Sequence, residues 1–209
     1  MNQPFIPPTD SHLNEVSEEV PVSEIRSEET QAIIEKMLDI AFGNTRNKNK
    51  SVLVGLAAPQ IGIQKRIILV DLAATGVYTR TESPPPPQIE VFINPQIIWS
   101  SDETIPWREA CFSTGRIMGI VYRPARIIVQ AYDREGNPIK QEFSGYTARI
   151  FQHEIDHLHG IRFPDRIQKD EDLHWVEEAE IVEYRIVWPS WPKKCPREKW
   201  TVMKNGSSN

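Results

Sequence analysis

The spacing of apolar residues predicts two helices, one near each end of a β-rich middle. Apolar positions between 33 and 41 recur every three or four residues, which predicts a helix over 28–42 with one buried face. Ser27 is a suitable N-cap for this helix, and Gly43 is a suitable stop. A second helix is predicted over 145–159 and is closed by Gly160.

Runs rich in Ile and Val predict strands between these helices. They lie at 66–72, 91–94, 126–133 and 139–143, and the turn at 133–137 favours a hairpin. The insert at 75–88 contains four consecutive prolines, which cannot donate ladder hydrogen bonds, so it is interpreted as a stiff exposed loop. Helix, strands and helix in one chain predict an α+β fold with a mostly antiparallel sheet.

Both ends of the chain differ in charge from the middle. Residues 1–24 are acidic and contain four prolines, which favours an extended, partly mobile N-terminal arm. After the central 25–168 segment comes an extension, 169–209. Its first part, 170–183, carries seven acidic residues and no Lys or Arg, whereas 189–209 is basic and rich in Trp and Pro.

Composition excludes several classes of protein. The chain has 209 residues, 39% of them hydrophobic, and a net charge of −5, which fits an ordinary globular domain and argues against a DNA-coating protein. No apolar run approaches the roughly 20 residues that a membrane helix needs, and no secretory signal is apparent. Two cysteines cannot form a disulfide framework. We therefore expect a cytoplasmic protein without DNA or membrane partners.

The segment 153–157 has the pattern H-E-x-x-H within the second predicted helix. Residues four apart share a helix face, so His153 and His157 can bind one metal ion, while Glu154 can reach a water bound to it. A catalytic metal needs a third protein ligand. The metzincin pattern fails because Phe163 stands where its last histidine belongs.

Two kinds of third ligand remain open from the residues alone. Glu177 or Glu178 would give a peptidase-like site, although both belong to an acidic run that fits a solvated surface. The alternative is Cys111, whose thiolate is a strong ligand for Zn²⁺ or Fe²⁺.

Three motifs together resemble those of the peptide deformylases, in the same order along the chain. They are Gly55-Leu-Ala-Ala-Pro-Gln-Ile-Gly62, Glu109-Ala-Cys-Phe-Ser113 and His153-Glu-Ile-Asp-His157. The resemblance covers roughly residues 10–168 and implies antiparallel sheets packed around a central helix that carries H-E-x-x-H. It also implies removal of the formyl group from the N-terminal formyl-methionine of new polypeptides, with release of formate.

The resemblance implies a role for each matching residue. Cys111, His153 and His157 would hold one divalent metal, Fe²⁺ as the native ion with Zn²⁺ or Ni²⁺ as alternatives. Glu154 would be the general base and acid for the attacking water. The other implied roles are oxyanion stabilisation by Gln60 and the backbone N–H of Phe112, and substrate binding at Gly55, Val54, Tyr146 and Ile150.

Several residues depart from the family pattern. Leu53 and Ala110 replace glycines, and Ala110 would be strained at a positive φ. These changes leave open an altered preference for the acyl group or for residues beyond methionine.

Three further side chains carry simple expectations. Asp156 either pairs with Arg123 or is a solvated carboxylate, and His174 is expected at the surface, as is His159. The basic tail could contact ribosomal RNA, although its composition favours a solvated, partly disordered end.

Overall fold

Two antiparallel sheets and four α-helices form the described part of the computed structural model, which comprises residues 4–43, 53–76 and 85–206. The helices are α1 (Glu28–Phe42), α2 (Gly145–Leu158), α3 (Ile181–Val187) and α4 (Arg197–Asn205). The strands are β1 (Gly55–Ala57), β2 (Ile67–Asp71), β3 (Ile89–Ser100), β4 (Thr104–Ala110), β5 (Ile117–Pro124), β6 (Arg126–Tyr132), β7 (Pro138–Ser144) and β8 (Leu173–Trp175). Most of the predicted proline-rich loop lies outside the described residues.

The sheets are arranged around α2. One has five strands in the order β1-β2-β3-β6-β7, and the other has three in the order β4-β5-β8. All strand pairs are antiparallel. The apolar face of α2 packs on the five-stranded sheet through Ile150, Phe151 and Leu158. The predicted α+β architecture with a central H-E-x-x-H helix is therefore confirmed.

Helix α1 covers the opposite face of the five-stranded sheet. It has the predicted bounds, because the Ser27 side chain accepts a hydrogen bond from the Thr30 N–H at 3.2 Å and Gly43 ends the helix at φ 63°. Alternate residues of β2 belong to the two cores, with Ile68 facing α2 and Leu69 facing α1. Burial on both faces explains why β2 is an uninterrupted apolar run.

Residues 4–24 are not a mobile arm but pack against the body. Leu13 and Val20 are buried, and the Ser17 N–H donates to the Leu158 carbonyl at 2.9 Å. Composition was misleading here because a few apolar anchors suffice to hold an acidic, proline-rich segment. The division of the chain at residues 24 and 168 stays a prediction.

The C-terminal residues also fold onto the body, so the expectation of a solvated, disordered tail is wrong. Trp200 and Cys195 are buried in a core with Ile117 and Phe163. The charge reversal is explained by internal ion pairs between the tail and acidic residues before it. These pairs include Arg197–Asp170 at 2.6 Å and Lys204–Asp165 at 2.8 Å.

Within the described ranges, no helix combines the length and apolar character needed to cross a membrane.

Candidate metal centre

Helix α2 and the end of β4 bring together three side chains that can bind a metal. One ligand atom from each of Cys111, His153 and His157 lies within 4.8 Å of the other two. The Cys111 Sγ is 3.3 Å from the His157 Nε2. No other group of three such side chains has this geometry in the part of the chain that the structure describes. The predicted ligand set is thus assembled in one place.

The alternative glutamate ligands do not join this cluster. Glu177 accepts a hydrogen bond from the Trp175 indole N–H at 2.7 Å and forms an ion pair with Arg116. Glu178 is exposed. The interpretation of the chain as a peptidase with a glutamate third ligand is therefore wrong.

A buried carboxylate fixes the orientation of His153. The His153 Nδ1 lies 2.8 Å from Glu109 Oε2, and because a carboxylate accepts, the proton is on Nδ1 and Nε2 is left for a metal. Glu109 in turn accepts from Arg123 at 2.7 Å and from Arg149 at 2.6 Å. Burial would raise the pKa of Glu109, but Arg123 and His153 hold it well below its usual value. Glu109 therefore stays ionised and keeps the ring in place.

This network continues from Glu109 through Arg123 to Asp156. Arg123 also donates to Asp156 at 2.8 Å, so of the two alternatives left open for that carboxylate the structure shows the pairing with Arg123, and Arg166 contacts Asp156 at 2.6 Å. The sequence interpretation missed the roles of Glu109 and Arg149. Glu109 lies two residues before Cys111 in extended backbone, which directs both side chains to one face, but the sequence did not identify this stretch as a strand.

Glu154 is buried beside the cluster without a full set of partners. Its Oε2 has no hydrogen-bond partner among the described residues. Burial raises the pKa of Glu154 to about 7, with His153 and His157 opposing the shift. A side chain at Gly55 would collide with Glu154 Oε1 and would lie 2.8 Å from Ile150 Cγ2. Glycine at position 55 therefore leaves room for the carboxylate.

Gln60 is oriented by hydrogen bonds at both ends of its amide. Its Oε1 accepts from the Ala57 N–H at 2.8 Å, and its Nε2 donates to Cys111 Sγ at 3.2 Å. Phe112 begins a 3₁₀ helix directly after Cys111, and the first N–H groups of a helix have no partner within it. The two predicted oxyanion donors thus both lie next to Cys111.

The cluster opens into a cleft of about 690 Å³. All four predicted substrate-binding residues line it, namely Val54, Gly55, Tyr146 and Ile150. Leu53 also lines the cleft, so this departure from the glycine pattern affects the cavity wall. Ala110 does not have a positive φ, so alanine at that position is unstrained.

Two histidines were expected at the surface. His159 is exposed, but His174 is fully buried, which corrects the expectation. The His174 Nδ1 lies 3.1 Å from the Tyr184 hydroxyl, and its Nε2 lies 3.0 Å from the Glu171 carbonyl and 3.2 Å from the Lys194 Nζ. Paired polar partners allow a histidine to be buried at this position.

The donor set fits a divalent transition metal. Burial opposes ionisation of Cys111, but His157 and His153 hold the pKa of the thiol well below its usual value, which favours the thiolate that metals bind. One thiolate and two imidazoles form a common set for a catalytic metal, with a fourth position left for a reactant.

Comparisons with known proteins agree with this geometry. The family model described as polypeptide deformylase matches residues 3–172. The chain is 34% identical to the peptide deformylase of Phenylobacterium zucineum, over 75% of this chain and 82% of that protein. It is 42% identical to the peptide deformylase of Prochlorococcus marinus strain NATL1A, over 57% of this chain and only 55% of that protein.

A solved structure gives the same result for the fold. The Met-Ala-Ser-bound class I type b peptide deformylase from Acinetobacter baumannii superposes with a TM-score of 0.67 at 29% identity. The match covers 80% of this chain and 99% of that one. With its Cys/His/His cluster and its matched family model, the chain belongs to the polypeptide deformylase family of enzymes.

Proposed function

We propose that the chain hydrolyses the formyl amide at the N-terminal formyl-methionine of newly made polypeptides and releases formate. The observation that carries this proposal is the placement of a buried carboxylate, Glu154, beside the cluster of Cys111, His153 and His157. Because such substrates arise during protein synthesis, we propose a cytoplasmic site of action.

Cys111, His153 and His157 would hold one divalent metal ion, with Fe²⁺ as the proposed native metal and Zn²⁺ or Ni²⁺ as substitutes. Such an ion supplies Lewis-acid chemistry, polarising the formyl oxygen and making a water more acidic. The Glu109–His153 hydrogen bond of 2.8 Å supports this assignment, because it fixes the ring nitrogen that faces the cluster.

Glu154 moves the proton in this proposal. As carboxylate it accepts a proton from the attacking water while the oxygen bonds to the formyl carbon. It then donates that proton to the amine nitrogen as the C–N bond breaks, so the amine leaves neutral, and the formic acid that remains loses its own proton to solvent at neutral pH to give formate. A pKa of about 7 for Glu154 suits both steps near neutral pH.

Gln60 and Phe112 stabilise the negative charge that develops on the formyl oxygen. The Gln60 amide is held in one orientation by Ala57, so its Nε2 donors are available on the Cys111 side. The Phe112 backbone N–H adds a second donor. Fixed donors of this kind need no reorganisation as the charge appears.

The strand edges beside the cleft suit an extended peptide. Strand β1 is at the edge of one sheet and β4 at the edge of the other, and residues of both line the cleft. Edge strands offer unpaired backbone groups to an added strand. The rings and methyl groups of Tyr146 and Ile150 provide apolar surface for the methionine side chain.

The test is formate release from a short formyl-methionyl peptide, with protein prepared anaerobically in Fe²⁺. Glu154→Gln keeps the shape of the side chain but removes the base, so release falls by about 10²–10⁴-fold while the metal content stays the same. His159→Ala, an exposed histidine on the same stretch of chain, serves as the control and keeps activity. Unchanged release by Glu154→Gln would contradict the proposal.

Ribosome binding through the tail gains little support. The basic side chains Lys204 and Arg197 are paired with acidic residues of the same chain. Lys199 stacks on the Trp175 ring at 3.3 Å. The basic side chains that suggested a contact with ribosomal RNA are thus largely engaged in contacts within the protein. Ribosome binding by the tail stays a prediction.

A further inference from the structure

An aromatic ring from the N-terminal segment lies against the loop that carries one of the two oxyanion donors. Phe5 and Phe112 both line the cleft, and their rings stack with centroids 4.4 Å apart and planes 8° from parallel. We propose that Phe5 is a positioning residue that holds the Phe112 backbone N–H in its oxyanion-stabilising orientation. The inference rests on the proposed function, because it concerns the same charge developing on the formyl oxygen.

The loop after Cys111 is short and only partly covered by the body of the fold. Its 3₁₀ helix spans Phe112–Thr114, and Gly115 follows with a φ of 60°. The Phe112 side chain is 54% exposed. A contact made to this ring therefore bears directly on how freely residue 112 moves.

The peptide plane that contains the Phe112 N–H is held from its carbonyl side by Thr114. The carbonyl of this plane belongs to Cys111, and it accepts from the Thr114 N–H at 3.2 Å and from the Thr114 hydroxyl at 2.9 Å. Because a peptide unit is planar, the direction of the N–H follows from that of the carbonyl and from the position of the Phe112 Cα. The stacked ring is attached to this Cα, so Phe5 restrains the end of the plane that the hydrogen bonds do not reach.

The stacking ring is itself carried by a fixed stretch of backbone. The next residue, Ile6, donates its N–H to the Gln60 carbonyl at 3.0 Å. Arg162 donates to the carbonyls of Pro8 at 2.6 Å and Ser113 at 2.9 Å, which joins the same stretch to the loop after Cys111. Donors that are fixed before the reaction stabilise a developing charge without reorganisation, and this stretch contacts the residues of both donors.

The kinetic experiment measures kcat and KM for formyl-Met-Ala. Phe5→Ala removes the ring, and we expect kcat to fall by about tenfold, because a misplaced donor stabilises the transition state less well. KM changes little, since the formyl oxygen carries little charge before attack. Phe5→Tyr keeps a flat ring and restores kcat. Val16→Ala, at a 67% exposed residue of the same N-terminal segment, keeps both constants.

Two results of this experiment would overturn the inference. A higher KM at full kcat in Phe5→Ala would make Phe5 a substrate contact. Unchanged constants would show that the stacked pair has no part in the reaction.

A double-mutant cycle tests whether Phe5 acts through Phe112. Phe112→Ala keeps the backbone N–H but removes the ring on which Phe5 stacks, so kcat should again fall by about tenfold. Adding Phe5→Ala should then cause no further loss, because both substitutions remove the same contact. A loss of about a hundredfold in the double variant would mean that the two residues act independently, and would contradict the inference.

Hydrogen exchange separates this inference from the proposed function, because it needs no turnover. Exchange over residues 111–115 should accelerate severalfold in Phe5→Ala but not in Phe5→Tyr or Val16→Ala. If the unmodified protein released no formate, the proposed function would fail, and faster exchange in Phe5→Ala would still support the restraint. Unchanged exchange over 111–115 would overturn the inference whatever the activity. If Phe5→Ala proved unfolded by circular dichroism, Phe5→Leu replaces it, since leucine is apolar but has no flat face.

Discussion

Gln60 has a fixed amide orientation, because its oxygen accepts from the Ala57 N–H and its nitrogen faces Cys111 Sγ at 3.2 Å. Gln60→Glu keeps the acceptor for Ala57 but removes the N–H donors. We expect kcat for formyl-methionyl peptides to fall by about 10²–10³-fold, the usual effect of losing one oxyanion donor. KM changes little, because the formyl oxygen carries little charge before attack.

The control for this prediction is the same substitution at Gln64, which lies in the loop before β2 and donates to the His12 carbonyl. Gln64→Glu should keep full kcat. Metal content is measured in both variants, because a new carboxylate beside the thiolate could weaken metal binding. A Gln60→Glu enzyme with a full metal load and unchanged kcat would remove Gln60 from the oxyanion site.

At the scale of elements, the C-terminal β8–α3 unit contains a buried titratable group. Burial, reinforced by Lys194, lowers the pKa of His174 to about 4. In the unfolded chain the pKa is near 6.5, so the folded value is depressed. The stability that neutral His174 contributes is present above pH 6.5 and is lost as pH falls from there towards 4.

We therefore expect His174→Gln to reduce the acid sensitivity of folding. Between pH 7.5 and pH 5, the free energy of unfolding should fall by about 2 kcal/mol more in the unmodified protein than in the variant, at roughly 1.4 kcal/mol per pH unit below 6.5. Urea unfolding at the two pH values measures this. His12→Gln is the control: Asp10 raises the pKa of this exposed histidine, so its removal should not reduce the acid sensitivity of folding. Parallel slopes in all three proteins would show that His174 is not buried neutral.

Local patterns predicted the elements whose signals are contained within one stretch of sequence. Helix α1 has the predicted bounds because its cap, stop and apolar periodicity all lie between Ser27 and Gly43. Strand β4 was missed because Pro106 and the charged residues near it obscure the alternation of apolar and polar positions. This strand is stabilised by its pairing with β5, which no local pattern indicates. Similarly, the burial of His174 depends on Tyr184, a partner that no local pattern indicates.

The candidate site shows the same limit. The three motifs identified the cluster residues and Glu154, because residue spacing and family resemblance can both be recognised within short segments of sequence. The ionised Glu109 and its two arginines were missed, since their roles depend on contacts between β4, β5 and α2. The sequence also did not predict that residues of the C-terminal segment line the cleft, because composition alone suggested a solvated tail.

At the scale of the whole molecule, one buried guanidinium connects both chain ends to the metal-ligand loop. Arg162 is fully buried and donates to the carbonyls of Pro8 at 2.6 Å and Ser113 at 2.9 Å. It is also 3.4 Å from the Lys204 carbonyl, and its guanidinium lies 4.5 Å from the centre of the Trp200 ring. The N-terminal segment, the loop after Cys111 and α4 therefore share one anchor.

Arg162→Met keeps the apolar stem and removes the hydrogen bonds, so the carbonyls of Pro8 and Ser113 lose their charged partner. Hydrogen bonds to charged groups contribute about 1.5–3 kcal/mol each, and we expect the free energy of unfolding to fall by about 3 kcal/mol. Hydrogen exchange should accelerate over residues 6–15 and 197–205 before it does in α1, because the two ends lose their shared anchor. Arg126→Met removes an exposed pair with Glu142 at 3.5 Å and an exposed contact of the guanidinium with the Trp99 ring at 5.7 Å, and should cost about 1 kcal/mol or less. Uniform acceleration of exchange across the chain would mean that Arg162 stabilises the fold as a whole and does not couple its two ends.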